Sequence, residues 1–335
     1  MNILLLSAGR RVERVRLIKQ ALADLGLDGC VVAADVSANA AALQVADRVH
    51  IIPRCDNPDY PQALLNICAS ESISAVSSGL DPELPAVSEL RQRLASAGVL
   101  AWVSSPECIK FCCDKRQTNR WLRANKFPTV RQVKLGDGRL PLPVFVKPTR
   151  GSASQGVQRV ETEDELAACE SLPGSWIAEE VAIGREFTIH TYVDLKGRCR
   201  IAVPCERLEV RAGEVSKGIT VKHRPMMELA RDISERLPGA LGPLNIQCFL
   251  AGDGSIRITE INPRFGGGYP LADRAGAKFC RWMIEETLGR AVDTPFDAWQ
   301  DGLTMLRFDD AVFVDSGAGT SFCGGGTRSR FSQVP

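Results

Sequence analysis

Histidine is nearly missing from this chain, with three in 335 residues, at positions 50, 190 and 223. Cysteine is plentiful, twelve in all, yet no C-x-x-C pair and no paired-knuckle spacing occurs. These absences argue against a zinc site, and they leave no Ser-His-Asp or Cys-His pattern on which a nucleophilic mechanism would rest. Cys108, Cys112 and Cys113 cluster at helical spacing, but without a histidine nearby.

A charge excess is also lacking: 41 Lys plus Arg stand against 40 Asp plus Glu, a formal net charge of +1. That balance removes the electrostatic case for a dedicated nucleic-acid binder. No apolar run approaches the roughly 18 residues of a membrane span. The N-terminal MNILLLSAGRR puts its arginines after a short apolar stretch, the reverse of a secretory signal. A cytoplasmic protein is therefore expected, with Cys30, Cys68, Cys199, Cys248 and Cys280 as buried thiols and no disulfide framework. At 44% hydrophobic and 24% charged, the composition is globular.

What is present begins with a βα unit. ILLL at 3–6 reads as a buried strand, and Val12, Val15, Ile18, Leu22 and Leu25 follow at helical intervals. Short strands are expected again at 31–34, 49–52, 74–77 and 100–103, with helical patterns near 60–70 and 83–96 between them. This alternation predicts a doubly wound parallel sheet over residues 1–105. Its first turn, SAGRRV, has one glycine where a dinucleotide fingerprint needs three, which disfavours a nicotinamide dehydrogenase.

After Pro106 the pattern changes to α+β. A basic helix is expected over 114–125, strands near 130–133 and 144–147, two apolar runs within 176–194, and a strand over 198–210. A helix over 226–237 precedes a hairpin of strands 245–250 and 256–261. The last twenty residues, SGAGTSFCGGGTRSRFSQVP, read as a flexible tail from 316.

Four features could carry chemistry: Lys115 at a helix start, Lys147 before the small-residue loop TRGSASQGV, the acidic segment IAEEVAIGREF, and ITEINPRFGGG. A lysine at a strand end can be a solvated edge residue, or it can neutralise phosphates wrapped by loop N–H groups. Glu179, Glu180 and Glu186 can be a solvated edge, or a linker to a purine and its ribose. Glu260 and Asn262 are two apart on a strand, and the hairpin brings Gln247 alongside, so one face gathers three oxygen donors suited to Mg²⁺. The same carboxylate could instead form a structural salt bridge with Arg264.

Taken in order, these segments resemble the ATP-grasp superfamily. They are most similar to single units like those of the carbamoyl phosphate synthase large subunit and to the ligase of pyrrolysine biosynthesis. The resemblance spans about residues 1–315 and implies an α/β fold: an N-terminal parallel-sheet pre-ATP-grasp domain (1–105), then a two-part α+β ATP-grasp unit. Its lid subdomain would be 106–184 and its large subdomain 185–315.

The resemblance also implies roles. Lys115 and Lys147 would hold the α- and β-phosphates of ATP, and the loop of Gly151, Ser152, Ser154 and Gly156 would close over them. Glu179, Glu180 and Val181 would lie at the adenine, and Glu186 at the ribose. Gln247, Glu260 and Asn262 would ligate Mg²⁺, with Mn²⁺ as a substitute, and Arg264 with Lys147 would support the transferring phosphoryl group. The loop is shorter and less glycine-rich than in carbamoyl phosphate synthase, and one unit stands where that enzyme has two.

The implied activity is an ATP-dependent carboxylate–amine ligation through an acyl phosphate, on amino-acid-like substrates. Its alternatives are a nucleotide-binding regulatory protein and a carboxyl- or carbamoyl-phosphorylating enzyme. Expected partners are a small-molecule carboxylate and an amine, with a homodimer as one arrangement and neither nucleic acid nor membrane. Asp81 and Glu83 could receive a substrate ammonium or simply open a helix, and Arg207 and Lys217 could receive a carboxylate or sit on a surface strand.

Overall fold

The computed structural model describes residues 1–138, 140–151 and 156–314. Ser152, Ser154 and the expected tail from 316 lie outside them. The chain forms two compact units: Met1–Ser105 with Lys278–Asp293 and residues 308–314, and Pro106–Ala277 with Thr294–Arg307.

In the first unit β1 (Asn2–Leu6), β2 (Val31–Asp35), β3 (Arg48–Ile51), β4 (Ile73–Ser78) and β5 (Leu100–Ala101) form a parallel sheet in the order β3-β2-β1-β4-β5. Its middle strands are buried on both faces, which explains why they read as continuous apolar runs: Leu4, Leu5, Leu6 and Val31 to Ala34 have no exposed surface. Each such aliphatic side chain contributes about 1.5–3 kcal/mol on burial. Helix α1 (Val12–Asp24) buries Val15, Ile18 and Leu22, the stripe read from the sequence. The helices α2 (Ala41–Val45), α3 (Tyr60–Ser70), α4 (Leu84–Glu89) and α5 (Arg91–Ser96) complete the winding. A later helix, Phe279–Thr287, returns to pack on α1, and Trp102 donates to its Thr287 Oγ1 at 3.0 Å. The expected large subdomain 185–315 is thus shared between the two units.

The β1–α1 turn is tied to the end of β2. Gly9 N–H donates to Asp35 Oδ2 at 2.7 Å, and Ser37 N–H to Asp35 Oδ1 at 3.0 Å. An acid at this place in a dinucleotide fold accepts ribose hydroxyls. Here it is spent on its own backbone, consistent with the one-glycine turn.

The second unit opens with α6 (Pro106–Cys112) and α7 (Lys115–Ala124). Its strands β6 (Gln132–Lys134), β7 (Val144–Pro148), β8 (Gln158–Val160) and β9 (Trp176–Glu180) form an antiparallel sheet in the order β6-β9-β7-β8. Helix α8 (Glu163–Glu170) packs Leu166 and Cys169 against it. The pattern T-x-x-E at 162–165 is a capping box that signals this helix, which has no counterpart in the expectations above.

A second antiparallel sheet, β14-β13-β10-β11-β12-β15, comprises β10 (Arg185–Val193), β11 (Cys199–Arg211), β12 (Glu214–Thr220), β13 (Gly242–Leu250), β14 (Ile256–Asn262) and β15 (Thr304–Leu306). Helix α9 (Arg224–Arg236) covers one face, where Thr191 Oγ1 meets Ser234 Oγ at 3.0 Å and Cys248 meets Met226. His223 caps α9 by accepting from Met226 N–H. The short helix α10 (Tyr269–Ala275) follows the glycine run.

No disulfide joins the eleven described cysteines, and burial pushes the Cys199 and Cys248 thiols up to about 12. Cys30, expected to be buried, is half-exposed, and its thiol donates to Asn2 Oδ1 at 3.2 Å at the start of β1. Among the described residues no helix is long and apolar enough to cross a membrane.

Candidate functional site

Lys115 is placed by its helix cap. Asp114, extended, accepts from Arg116 N–H at 3.0 Å and Gln117 N–H at 3.3 Å, so the lysine starts the first turn of α7. Lys115 N–H donates to Thr149 O, and its Nζ donates to Gly151 O at 2.9 Å. The helix start and the loop after β7 are therefore joined twice.

Because β9 lies between β6 and β7, Glu179 is at the centre of its sheet and not on an edge. Its carboxylate pairs with Lys147 and accepts from Gln132 Nε2 at 2.7 Å. The side chains of Lys147 and Glu179 are 12% and 4% exposed, so each charge depends on the other for compensation. Gln132, which also reaches Lys115 O at 3.4 Å, belongs to this group. Sequence reading missed it, since strand order 6-9-7-8 brings together residues far apart in the chain.

Glu180 points to the opposite face from Glu179, as alternation requires. It accepts Arg131 N–H at 2.9 Å and pairs with the Arg131 guanidinium. Burial raises its carboxyl pKa, but these Arg131 bonds outweigh that and hold it below the usual range. Its side chain does not join the Lys147–Glu179 group. Val181 follows at the exit from β9, and Gly184 then passes β13 closely. There φ is +123°, and a Cβ would lie 2.1 Å from Leu250 O, so no other residue fits.

On the large sheet, Thr191 and Cys248 face α9, so Glu186, Thr188 and His190 on β10 and Asn245 and Gln247 on β13 face the other way. Gln247 pairs across the strands with Glu260, and Asn245 with Asn262. The register shifts between these pairs and Cys248↔Ile258, leaving Thr259 as a bulge. The bulge rephases β14: Ile258 stays on the α9 side while Glu260 turns to the Gln247 side. Apolar positions at 256, 258 and 261, with their broken period, record this in the sequence.

Asn262 Nδ2 donates to Asn245 Oδ1 at 3.3 Å, and Asn245 Nδ2 donates to Arg264 O at 3.1 Å. Asn262 thereby keeps its side-chain amide oxygen, Oδ1, for another partner. Among the described residues Glu260 has no protein cation at pairing distance, so the alternative of a structural Glu260–Arg264 bridge is not realised. Arg264 Nη1 turns back to Phe265 O at 2.9 Å. One carboxylate and two amide oxygens are hard donors that fit Mg²⁺ completed by phosphate and water. They are too few for a cage of protein ligands, and no cluster of three His, Cys, Asp or Glu occurs among the described residues.

Arg207, opposite Glu186, is 9% exposed; its Nη1 lies 2.9 Å from Glu186 Oε1 and 3.4 Å from Gln247 Oε1. Its Nε is buried without a partner. Lys217, by contrast, pairs with Glu209 on the surface. His190 is fully buried, which lowers its pKa to about 4 and keeps the imidazole neutral at pH 7. It supports the glycine run, since a Cβ on Gly266 would lie 2.7 Å from His190 Cε1. Period-two reading of EFTIHTYV could have placed it on the Glu186 face.

In the first unit Glu83 is buried. Tyr60 Oη donates to it at 2.9 Å, Ser78 Oγ donates at 2.5 Å, and the Ser7 side chain adds a third bond. Burial pushes its pKa up in spite of these donors. The ammonium-binding option for Glu83 is therefore closed by its own hydroxyl shell, while Asp81 stays half-exposed.

Residues 3–102 match the family model of PylC-like N-terminal domains, and residues 112–268 match that of ATP-grasp domains. Residues 112–268 are thus an ATP-grasp domain, preceded by a PylC-like N-terminal domain. A D-alanine–D-alanine ligase of Mycolicibacterium smegmatis is 42% identical over 87 residues, which span 22% of this chain and only 23% of that protein. The fold is shared with an L-amino acid ligase of Bacillus licheniformis (TM-score 0.71, 19% identity, 90% of this chain and 78% of that one). It is also shared with the biotin carboxylase domain of a Hydrogenobacter thermophilus 2-oxoglutarate carboxylase, solved with MgADP and bicarbonate (TM-score 0.72, 16% identity, 90% and 73%).

Proposed function

We propose that the chain is an ATP-dependent carboxylate–amine ligase acting on amino-acid-like substrates, with 106–184 as the lid over the nucleotide. The observation that carries this reading is the Gln247–Glu260–Asn262 face, one carboxylate with no protein counter-ion among the described residues, between two amides, in the same unit as Lys147 and Lys115. The two parts are linked directly: α7 packs against β14, and Ile258 exchanges backbone bonds with Pro128 and Val130, two residues before Glu260.

Lys115 and Lys147 would neutralise the phosphates of ATP, and Glu186 would accept from the ribose. Gln247, Glu260 and Asn262 would hold Mg²⁺, which, when bound, screens the charge between phosphate oxygens. Arg264, fixed by the Asn245 bond to its carbonyl, would face the phosphoryl group as it moves from ADP to the substrate carboxylate. An amine then attacks the acyl phosphate, forming the amide bond as phosphate leaves. Positioning and charge suffice, so the chemistry requires no nucleophilic side chain. The names of the two ligases above support amino-acid-like substrates.

The test is ADP release across a panel of amino acids and dipeptides with ATP and Mg²⁺, followed by mass spectrometry of the products. An amide product from one acid–amine pair is expected. Carboxylate-dependent ADP release that no amine converts to amide would replace the ligase by a carboxyl-phosphorylating enzyme. Nucleotide binding with no stimulation by any carboxylate would leave a regulatory module.

A further inference from the structure

We propose that Arg307, together with Glu214, is a positioning residue for Arg264, a role that rests on the ligation proposed above. Arg307 follows β15, beyond the 112–268 match, where the chain has come back to the edge of the large sheet after the helix Phe279–Thr287. Its N–H donates to Ser216 O at 2.9 Å, which extends the β12–β15 pairing and fixes the root of the side chain. The guanidinium then divides its donors: Nη2 bonds Gly267 O at 2.7 Å, and Nη1 lies 3.3 Å from Glu214 Oε2.

The glycine run is seated flat on this support. A Cβ on Gly267 would lie 2.9 Å from Glu214 Cδ, and one on Gly268 would lie 2.6 Å from Val215 Cγ1. Glycines are required for that approach, but they give the strap no side chains with which to hold itself. It is held from outside at both ends, by Asn245 on Arg264 O and by Arg307 on Gly267 O. Arg264 lies on this strap, whereas Asn262 is still held in β14, so a strap released at Gly267 would let the arginine drift from the phosphoryl group. A displacement of about 1 Å at a reacting group costs about 100-fold in rate.

Three measurements on the full chain test this with Arg307→Met and Arg307→Lys: hydrogen exchange of the 265–268 amides, affinity for MgADP, and kcat for carboxylate-dependent ADP release. In Arg307→Met, exchange at 265–268 should rise and kcat should fall by about 10- to 100-fold, with MgADP affinity unchanged. Arg307→Lys should fall between the two, since a point charge keeps Glu214 but loses the fork. Should Arg307→Met fold poorly, Glu214→Gln, which leaves the Gly267 bond, should show a smaller loss of kcat in the same direction. Unchanged exchange at 265–268, or loss of kcat and MgADP affinity together, would overturn the proposal. If the wild type shows no carboxylate-dependent turnover, the ligase reading fails, and the exchange measurement alone still decides whether Arg307 holds the strap.

Discussion

In the small sheet of the second unit each candidate carboxylate already has a cation, Lys147 for Glu179 and Arg131 for Glu180. In the large sheet Glu260 stands between amides, with no protein cation at pairing distance among the described residues. The first arrangement is self-neutralised: Lys147 is buried and oriented, and phosphates would have to compete with Glu179 for it. The second holds a negative charge that the fold leaves for a ligand to balance. Stability should therefore depend on the pair in the small sheet, and turnover on the lone carboxylate in the large one.

Lys147→Met would break this comparison most forcefully. It leaves Glu179 buried and uncompensated, a defect worth about 3–5 kcal/mol. Urea unfolding should show that loss, and Lys147→Met/Glu179→Gln should recover most of it. A single variant as stable as the wild type would show that the pair contributes nothing. Glu260→Gln should do the opposite: unfolding free energy within about 0.5 kcal/mol of wild type, and kcat down about 100- to 1,000-fold, as when a preorganised electrostatic partner is removed. Retained turnover would refute the metal assignment.

His190 adds a pH test on the large sheet. Its folded pKa of about 4 lies below its ordinary 6.5, so the unfolded chain takes up the proton first. Its contribution is thus complete above pH 6.5 and lost as pH falls towards 4, roughly 3 kcal/mol in all. Urea unfolding of wild type and His190→Gln between pH 7 and 4 should show the steeper fall in the wild type, and parallel curves would remove His190 as the cause.

How much of this was legible follows from how local each contact is. The shared face of Gln247, Glu260 and Asn262 could be read from a hairpin and a period of two, though the Thr259 bulge that fixes its phase was not recognised. The parallel sheet was legible because buried strands are continuous apolar runs. Lys147 with Glu179 and Gln132 was not, since it needs β9 inserted between β6 and β7, and strand order is set by packing rather than by local pattern. The same holds for Glu83, where Tyr60 and Ser7 arrive from separate elements, and for Arg307, which lies 40 residues beyond the Gly267 carbonyl it bonds.

The smallest expected effect concerns a site residue whose helix start is set by its sequence neighbour. Lys115 is where it is because Asp114 caps α7, and the cap accepts two N–H groups that would otherwise have no partner in the helix. Asp114→Ala should cost about 1 kcal/mol. Because Lys115 N–H and Nζ are tied to Thr149 O and Gly151 O, fraying of the first turn should also loosen the loop after β7. The expected outcome is a modest fall in MgATP affinity at unchanged kcat, measured by nucleotide titration beside urea unfolding. A fall in kcat equal to that of Glu260→Gln would mean that the small sheet acts on the reacting group itself, and the division of labour between the two sheets would not hold.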